Sequence, residues 1–390
     1  MNCRKIKSLC YRLFVISQYL FFKLIGLSPW SIEASEIITR NRRIESHNFK
    51  YTFSYVGICY NSIYIFITVS YNIYVVLYLQ LTFYRKQIQT FETLFLLSSV
   101  PCIVFIVLNY SIRQKVPINL INNRLKSVDK NLNSCADYKS ENDYTIDWIF
   151  SINFVCTCNV VILIYLVNKS EIIIFMMLLP NILTKWPLIH YTIFINLIRR
   201  RFEAINSTLL KLGTTESKIS DSRELILEDL TSLKRAYAEI CKGCDEIVNF
   251  YGISILIVSS VMSIRLVRIL YYTIVKTIYL PIVDVTLFIV GLSLWEYIYI
   301  FIILTTAVTK VIEQNKKTSR ILNLLRDRFD MDEEIFKKVL KFSSHLPFLT
   351  VDFTCWGIIP LDRTLLTMIS STIATYLVIS IQFYNTLSAN

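Results

Sequence analysis

Charged residues along the chain fall in clusters, and long uncharged stretches separate the clusters. Lys50 and Arg85 enclose 34 uncharged residues, Glu92 and Arg113 enclose 20, Asp147 and Lys169 enclose 21, and Glu246 and Arg265 enclose 18. About 20 apolar residues, each rising ~1.5 Å along a helix, cross a bilayer core of ~30 Å. These gaps predict the first membrane span at about 54–79, the second between Glu92 and Arg113 with Pro101 as a candidate kink, and the third between Asp147 and Lys169. The fourth follows a short turn at 168–171 and runs to about Asn196, interrupted by Lys185. The fifth lies between Glu246 and Arg265, and the sixth at about 285–308, interrupted by Glu296. After Arg363 the sequence continues for 27 residues without a charge, which predicts a seventh span. Residues 269–283 are apolar but short and carry Lys276 and Pro281, so they read as an outer loop with a re-entrant or interfacial part.

The expected fold is therefore an all-α membrane protein with seven transmembrane helices. Helical spacing of Ile226, Leu230, Leu233, Tyr237, Ile240, Cys244 and Ile247 runs straight into the fifth span. Residues 312–342 likewise extend the sixth span, with a break near Asp330–Asp332 and a further helix at 333–343. Helices four to six are expected to continue outside the membrane. Four segments follow: 1–53 at the N-terminus, 54–308 holding the first six spans, 309–364 as a helical anchor, and 365–390 as the seventh helix with a short tail.

The seventh span is not uniformly apolar. Thr364, Met368, Ser371, Thr375, Val378 and Gln382 share one face. Lipid offers no hydrogen-bond partner, so such a stripe faces protein or water. It is either glue between helices or the lining of a pore.

Composition agrees with a polytopic membrane protein: 54% hydrophobic, 18% charged and a mean hydropathy of +0.49. The net charge of +12 points to its distribution rather than to nucleic acid. Lys and Arg number 34 in the N-terminal, 113–147, 199–246 and 309–364 segments, and 6 in the opposite loops. The positive-inside rule puts the N-terminus in the cytoplasm and the C-terminus outside. The first 29 residues, with Arg12 and Lys23 in the apolar run, read as a retained cytoplasmic amphipathic helix rather than a cleaved signal. The sequons at Asn168, in a short turn, and Asn206, on the cytoplasmic side, do not predict glycosylation.

No catalytic constellation is visible. The three His residues (His47, His190, His345) have no Cys or carboxylate at metal spacing, and Cys241-x-x-Cys244 has no second pair. Seven glycines and no phosphate-loop or hydrolase motif argue against an enzyme, and no cofactor is expected. The unusual chemistry lies inside the spans. Lys185 and Glu296 sit near the middle of the fourth and sixth, where a lone charge costs at least ~2.5–3.5 kcal/mol. Both should face the bundle interior, either paired with each other or lining one solvated pocket open to the outside. Trp186, His190 and Tyr191 flank the lysine; Trp295, Tyr297 and Tyr299 flank the glutamate. Aromatic walls with a few polar groups suit a small-molecule site, so Lys185, Trp186, His190, Trp295, Glu296 and Tyr299 are the pocket candidates. The alternative is a structural ion pair with no ligand.

Thr375-Tyr376, five mostly apolar residues, then Gln382-Phe383 resembles the signature that ends the insect gustatory receptors. Phe353-Thr354-Cys355-Trp356-Gly357-Ile358-Ile359 followed by Leu361-Asp362 fits the lead-in, and Leu24-Ile25-Gly26-Leu27-Ser28-Pro29-Trp30 is similar to the N-terminal pattern. The resemblance implies a plasma-membrane ligand-gated cation channel of four subunits, homomeric or heteromeric, with a cytoplasmic anchor and a small-molecule tastant. The pore and gate candidates are Ser371, Thr375, Tyr376, Gln382 and Phe383. Without a charge in that span, selectivity among cations is expected to be weak. Aromatic surroundings with few carboxylates favour bitter plant compounds over sugars. The other readings are an odorant-type channel and a membrane transporter; the sequence shows no internal repeat of the transporter kind.

Overall fold

A computed structural model of the chain describes residues 3–32, 50–82, 87–135, 144–167, 171–212, 219–279, 285–328, 332–349 and 351–389. The helices are α1 (Cys3–Leu24), α2 (Tyr55–Thr82), α3 (Gln87–Ile112), α4 (Lys115–Asn119), α5 (Lys126–Asn133), α6 (Thr145–Val167), α7 (Glu171–Leu212), α8 (Ile219–Tyr279), α9 (Val285–Arg328), α10 (Glu333–Ser343) and α11 (Thr364–Ala389). A π-helical turn, Leu120–Leu125, joins α4 to α5. Two-residue strands pair antiparallel: β1 (Ser31–Ile32) with β2 (Tyr51–Thr52), and β3 (Thr354–Cys355) with β4 (Ile359–Pro360).

The seven spans expected from the charge gaps are α2, α3, α6, α7, α8, α9 and α11. By length and apolarity, stretches Tyr55–Tyr74, Thr145–Leu163, Arg223–Tyr271 and Val290–Asp327 suffice to cross a membrane; Val100–Ile112 and Thr364–Ile379 are shorter apolar runs. Pro101 lies inside α3, where its missing N–H leaves a carbonyl of the helix unpaired. The 61 residues of α8 span about 90 Å at ~1.5 Å each, three times a bilayer core, so most of it projects beyond the membrane. The projecting parts of α7, α8 and α9, with α4, α5 and α10, form one end of the molecule, here called the anchor end.

Residues 269–279 correct the sequence expectation. They continue α8 and are not an outer loop; 280–283 lie outside the described residues. The reason is Arg265. Its charge marks the end of the fifth gap in the sequence, yet its Nη1 donates to Thr184 Oγ1 (2.8 Å) and Tyr297 Oη (3.4 Å) inside the bundle. A buried arginine held by side chains of neighbouring helices does not end a span.

The core is organised around α7, which is buried on every side from Leu183 to Asn196. It packs against α8, α9 and α6. By contrast α2 exposes Tyr55, Val56, Ile63, Phe66 and Ile67, as a lipid-facing helix does. At the anchor end Arg201 on α7 makes two bonds to Asp129 on α5 (2.9 and 2.7 Å), and Arg124 joins Glu239 and Glu246 of α8. Asp332 caps α10 by accepting from the Glu334 and Ile335 N–H groups. Residues 329–331, part of the expected break, lie outside the described residues.

The N-terminal segment is welded to this frame. α1 ends with Gly26 at φ +81°, a left-handed position that suits glycine, and Leu27 N–H donates back to Phe22 O (2.9 Å). The following turn presses on α2 so closely that a Cβ at Gly57 would stand 1.8 Å from Pro29 O. Asn61 Nδ2 holds Gly26 O at 3.0 Å.

Candidate ligand pocket and pore-lining helix

The structure brings the two mid-span charges together. Lys185 Nζ donates to Glu296 Oε1, and the residues are 1% and 2% exposed. Full burial of α7 on all faces leaves a lysine there no route to water, so a counter-ion must come from a neighbouring helix. Thr157 on α6 stands 3.5 Å from the same oxygen. Glu296 Oε2 is buried without a hydrogen-bond partner among the described residues. Arg265 and Tyr297 complete a polar layer shared by α6, α7, α8 and α9. Arg265 is the member of this layer that sequence reasoning missed, because its position at the edge of an 18-residue gap read as a loop.

Trp186 and His190 continue the buried face one turn along α7, inside an aromatic cluster. The Trp186 ring lies 4.4 Å from Phe21 and 5.5 Å from Phe150, measured between centroids. His190 lies 4.4 Å from Phe22 and 6.2 Å, near-parallel, from Trp30. Its Nδ1 shares a 3.0 Å hydrogen bond with Tyr251 Oη. Most of these neighbours belong to α1 and the turn after it, so His190 looks toward the N-terminal segment. Trp295 and Tyr299 do not join the pair: Trp295 is 63% exposed and stacks on Tyr299 along the outer surface of α9. Residues 295 and 296 are adjacent on a helix and point about 100° apart, so one charge inside sends the next ring outward.

α11 is held along one line. Leu365 is buried, and Leu366, Ile369 and Ile373 pack against the core. Every residue of the polar stripe (Thr364, Met368, Ser371, Thr375, Val378, Gln382) is exposed in the single chain. Tyr376 is exposed as well, and Thr375 Oγ1 bonds only its own helix at Ser371 O (3.0 Å). Phe383 continues the helix, but its side chain lies outside the described residues. Before α11, Trp356 and Gly357 adopt φ of 53° and 73° in the β3–β4 turn, which lies against Gly252 of α8.

Among the described residues no group of three His, Cys, Asp or Glu could hold a metal.

Comparison with known proteins gives three findings. A family model described as 7tm Chemosensory receptor matches residues 16–386. Gustatory receptor 28b of Drosophila melanogaster is 32% identical over 87 residues, which is 22% of this chain and 18% of that relative's length. Two solved structures of the insect olfactory receptor OR5 from Machilis hrabei share the fold at 10% identity. They have TM-scores of 0.64 and 0.65, cover 96% and 95% of this chain, and the second is in complex with eugenol.

Proposed function

The chain belongs to the 7tm chemosensory receptor family, and from that premise we propose that it is a gustatory receptor working as a ligand-gated, weakly selective cation channel. It is a multi-pass plasma-membrane protein of the insect chemoreceptor superfamily, which is a family of receptors rather than enzymes. The observation that carries the channel reading is α11: an uncharged helix whose whole polar stripe is exposed in the single chain. One stripe cannot enclose a water path, so several copies must set their α11 helices around an axis. Four copies, alike or mixed, fit the resemblance. Ser371, Thr375 and Gln382 then offer neutral dipoles to passing cations. Gln382 and Phe383 form the narrow point, with Tyr376 behind them.

The charge count supports a cytoplasmic N-terminus and an outer C-terminus. Moving Arg265 from the loop to the bundle makes the asymmetry larger. The anchor end is then cytoplasmic, and residues 309–364 gather the subunits.

The tastant is taken up within the six-span bundle, around Lys185, Glu296 and Trp186. Glu296 Oε2 has an open acceptor position there for a ligand donor. Trp295 and Tyr299, on the outer surface of α9, and His190, against α1, stand outside this pocket. Aromatic walls suit bitter plant compounds. Coupling requires that the ligand bind the open arrangement more tightly than the closed one. The olfactory fold neighbours favour one second reading, an odorant-type channel of the same superfamily.

Whole-cell recording from cells expressing the chain tests this. A bitter alkaloid should evoke a cation current that Gln382→Ala and Phe383→Ala alter. Silence to alkaloids and sugars with a response to volatile phenols would favour the odorant reading. Currents unchanged by both substitutions would remove the gate assignment.

A further inference from the structure

A cavity of about 130 Å³ lies at the anchor end, away from the Lys185–Glu296 pair. Its lining comes from α1 and the Ser28–Trp30 turn on one side, and from α6, α7 and the π-helical turn on the other. The rings of Phe22, Trp30, His190 and Phe194 supply flat apolar wall. Among apolar cavities, one of about 150 Å³ holds a benzene. Asp147 and Arg200 bring one charge of each sign to the lining, so the field selects neither cation nor anion. One further polar group matters. Gln18 also lines the cavity, and its Nε2 is out of solvent with no hydrogen-bond partner among the described residues. A buried donor left unmade costs about 1–3 kcal/mol, which a ligand oxygen would recover.

We propose that this cavity is a second ligand site, for a neutral single-ring aromatic compound carrying one hydrogen-bond acceptor such as a carbonyl oxygen. The ring lies among Phe22, Trp30 and His190, and the oxygen accepts from Gln18 Nε2. A ligand there bridges α1 to α7, the helix that also carries Lys185, and so holds the N-terminal segment against the bundle. The site depends neither on the pore assignment nor on the pocket around the ion pair.

The test is fluorine NMR of 4-fluoroacetophenone with the purified full chain in nanodiscs, corrected with empty nanodiscs. Wild type should show saturable binding. Gln18→Leu should weaken it about ten-fold, the worth of one hydrogen bond. Val15→Phe, which fills the cavity from α1, should abolish it. If Val15→Phe does not fold, Gln18→Leu decides. Binding that does not saturate in wild type, that Gln18→Leu leaves intact, or that a folded Val15→Phe retains would overturn the proposal. The first outcome would mean that water alone fills the space.

Discussion

α7 and α11 are both membrane-spanning helices with polar residues at mid-depth, and they solve that problem in opposite ways. On α7 every polar side chain from Thr184 to Asn196 is buried within the chain, and Lys185 meets its counter-ion on α9. On α11 the polar stripe lies on the open side of the helix and stays exposed in the single chain. A helix satisfied internally can carry a full charge. A helix that waits for other copies can carry only neutral dipoles, since an unpaired charge would not survive insertion. On the reading proposed above, the contrast separates the part of the fold that one chain completes from the part that assembly would complete.

The largest effect should come from breaking the internally satisfied pair. Lys185→Met leaves Glu296 buried and uncompensated and should cost about 3–5 kcal/mol. The solubilised protein should melt earlier or fail to reach the surface. Adding Glu296→Leu should restore most of the loss. If the double variant is as unstable as the single one, the pair is not what α7 depends on. Arg201→Ala comes next. It removes both bonds to Asp129 and should cost about 2 kcal/mol, read as a lower melting temperature.

Asp332 should matter less, and in a pH-dependent way. Its carboxyl is held below the ordinary range by the Ile335 N–H, with the Arg223 guanidinium adding to the effect. The sign follows from that direction. The contribution is fully present above the ordinary carboxyl value of about 3.9 and fades as the pH falls through the lower folded value. Asp332→Ala should therefore destabilise α10 at pH 7 and do so progressively less as the pH falls below the ordinary carboxyl value. Equal loss across that range would mean that the cap does not depend on the charge of the carboxylate. The smallest effect on folding belongs to α11: Thr375→Val should change stability by less than about 0.5 kcal/mol while altering conductance. A large melting shift would mean that the stripe is already packed within the chain.

The charge gaps carried most of the fold, because a membrane forces uncharged helices of set length and makes them visible in one dimension. They misled at Arg265, where a charge held inside the bundle by Thr184 and Tyr297 reads as a boundary. Partners distant in sequence are invisible to a gap count. The continuation of α8 below the membrane was legible from Ile226, Leu230 and Leu233, which keep one face. In the candidate site, Lys185 and Glu296 were legible because each is costly alone. Trp295 and His190 show the limit of flanking positions. Neighbours in sequence turn about 100° on a helix, so one ring faces outward and the other lies against α1. The cavity beside Gln18 left no trace in the pattern, since it arises where α1 folds back onto α7.

The central claim is that several copies share α11 around one axis. Cysteine cross-linking in intact membranes tests it without an agonist. In a Cys59→Ser background, with that parent chain run in parallel, Thr375→Cys should react with a short bismaleimide to give covalent pairs, since one thiol per chain can join only one neighbour. Ile373→Cys, on the packed line of the helix, should not. Thr375→Cys that stays a single chain, or matches Ile373→Cys, would contradict the account.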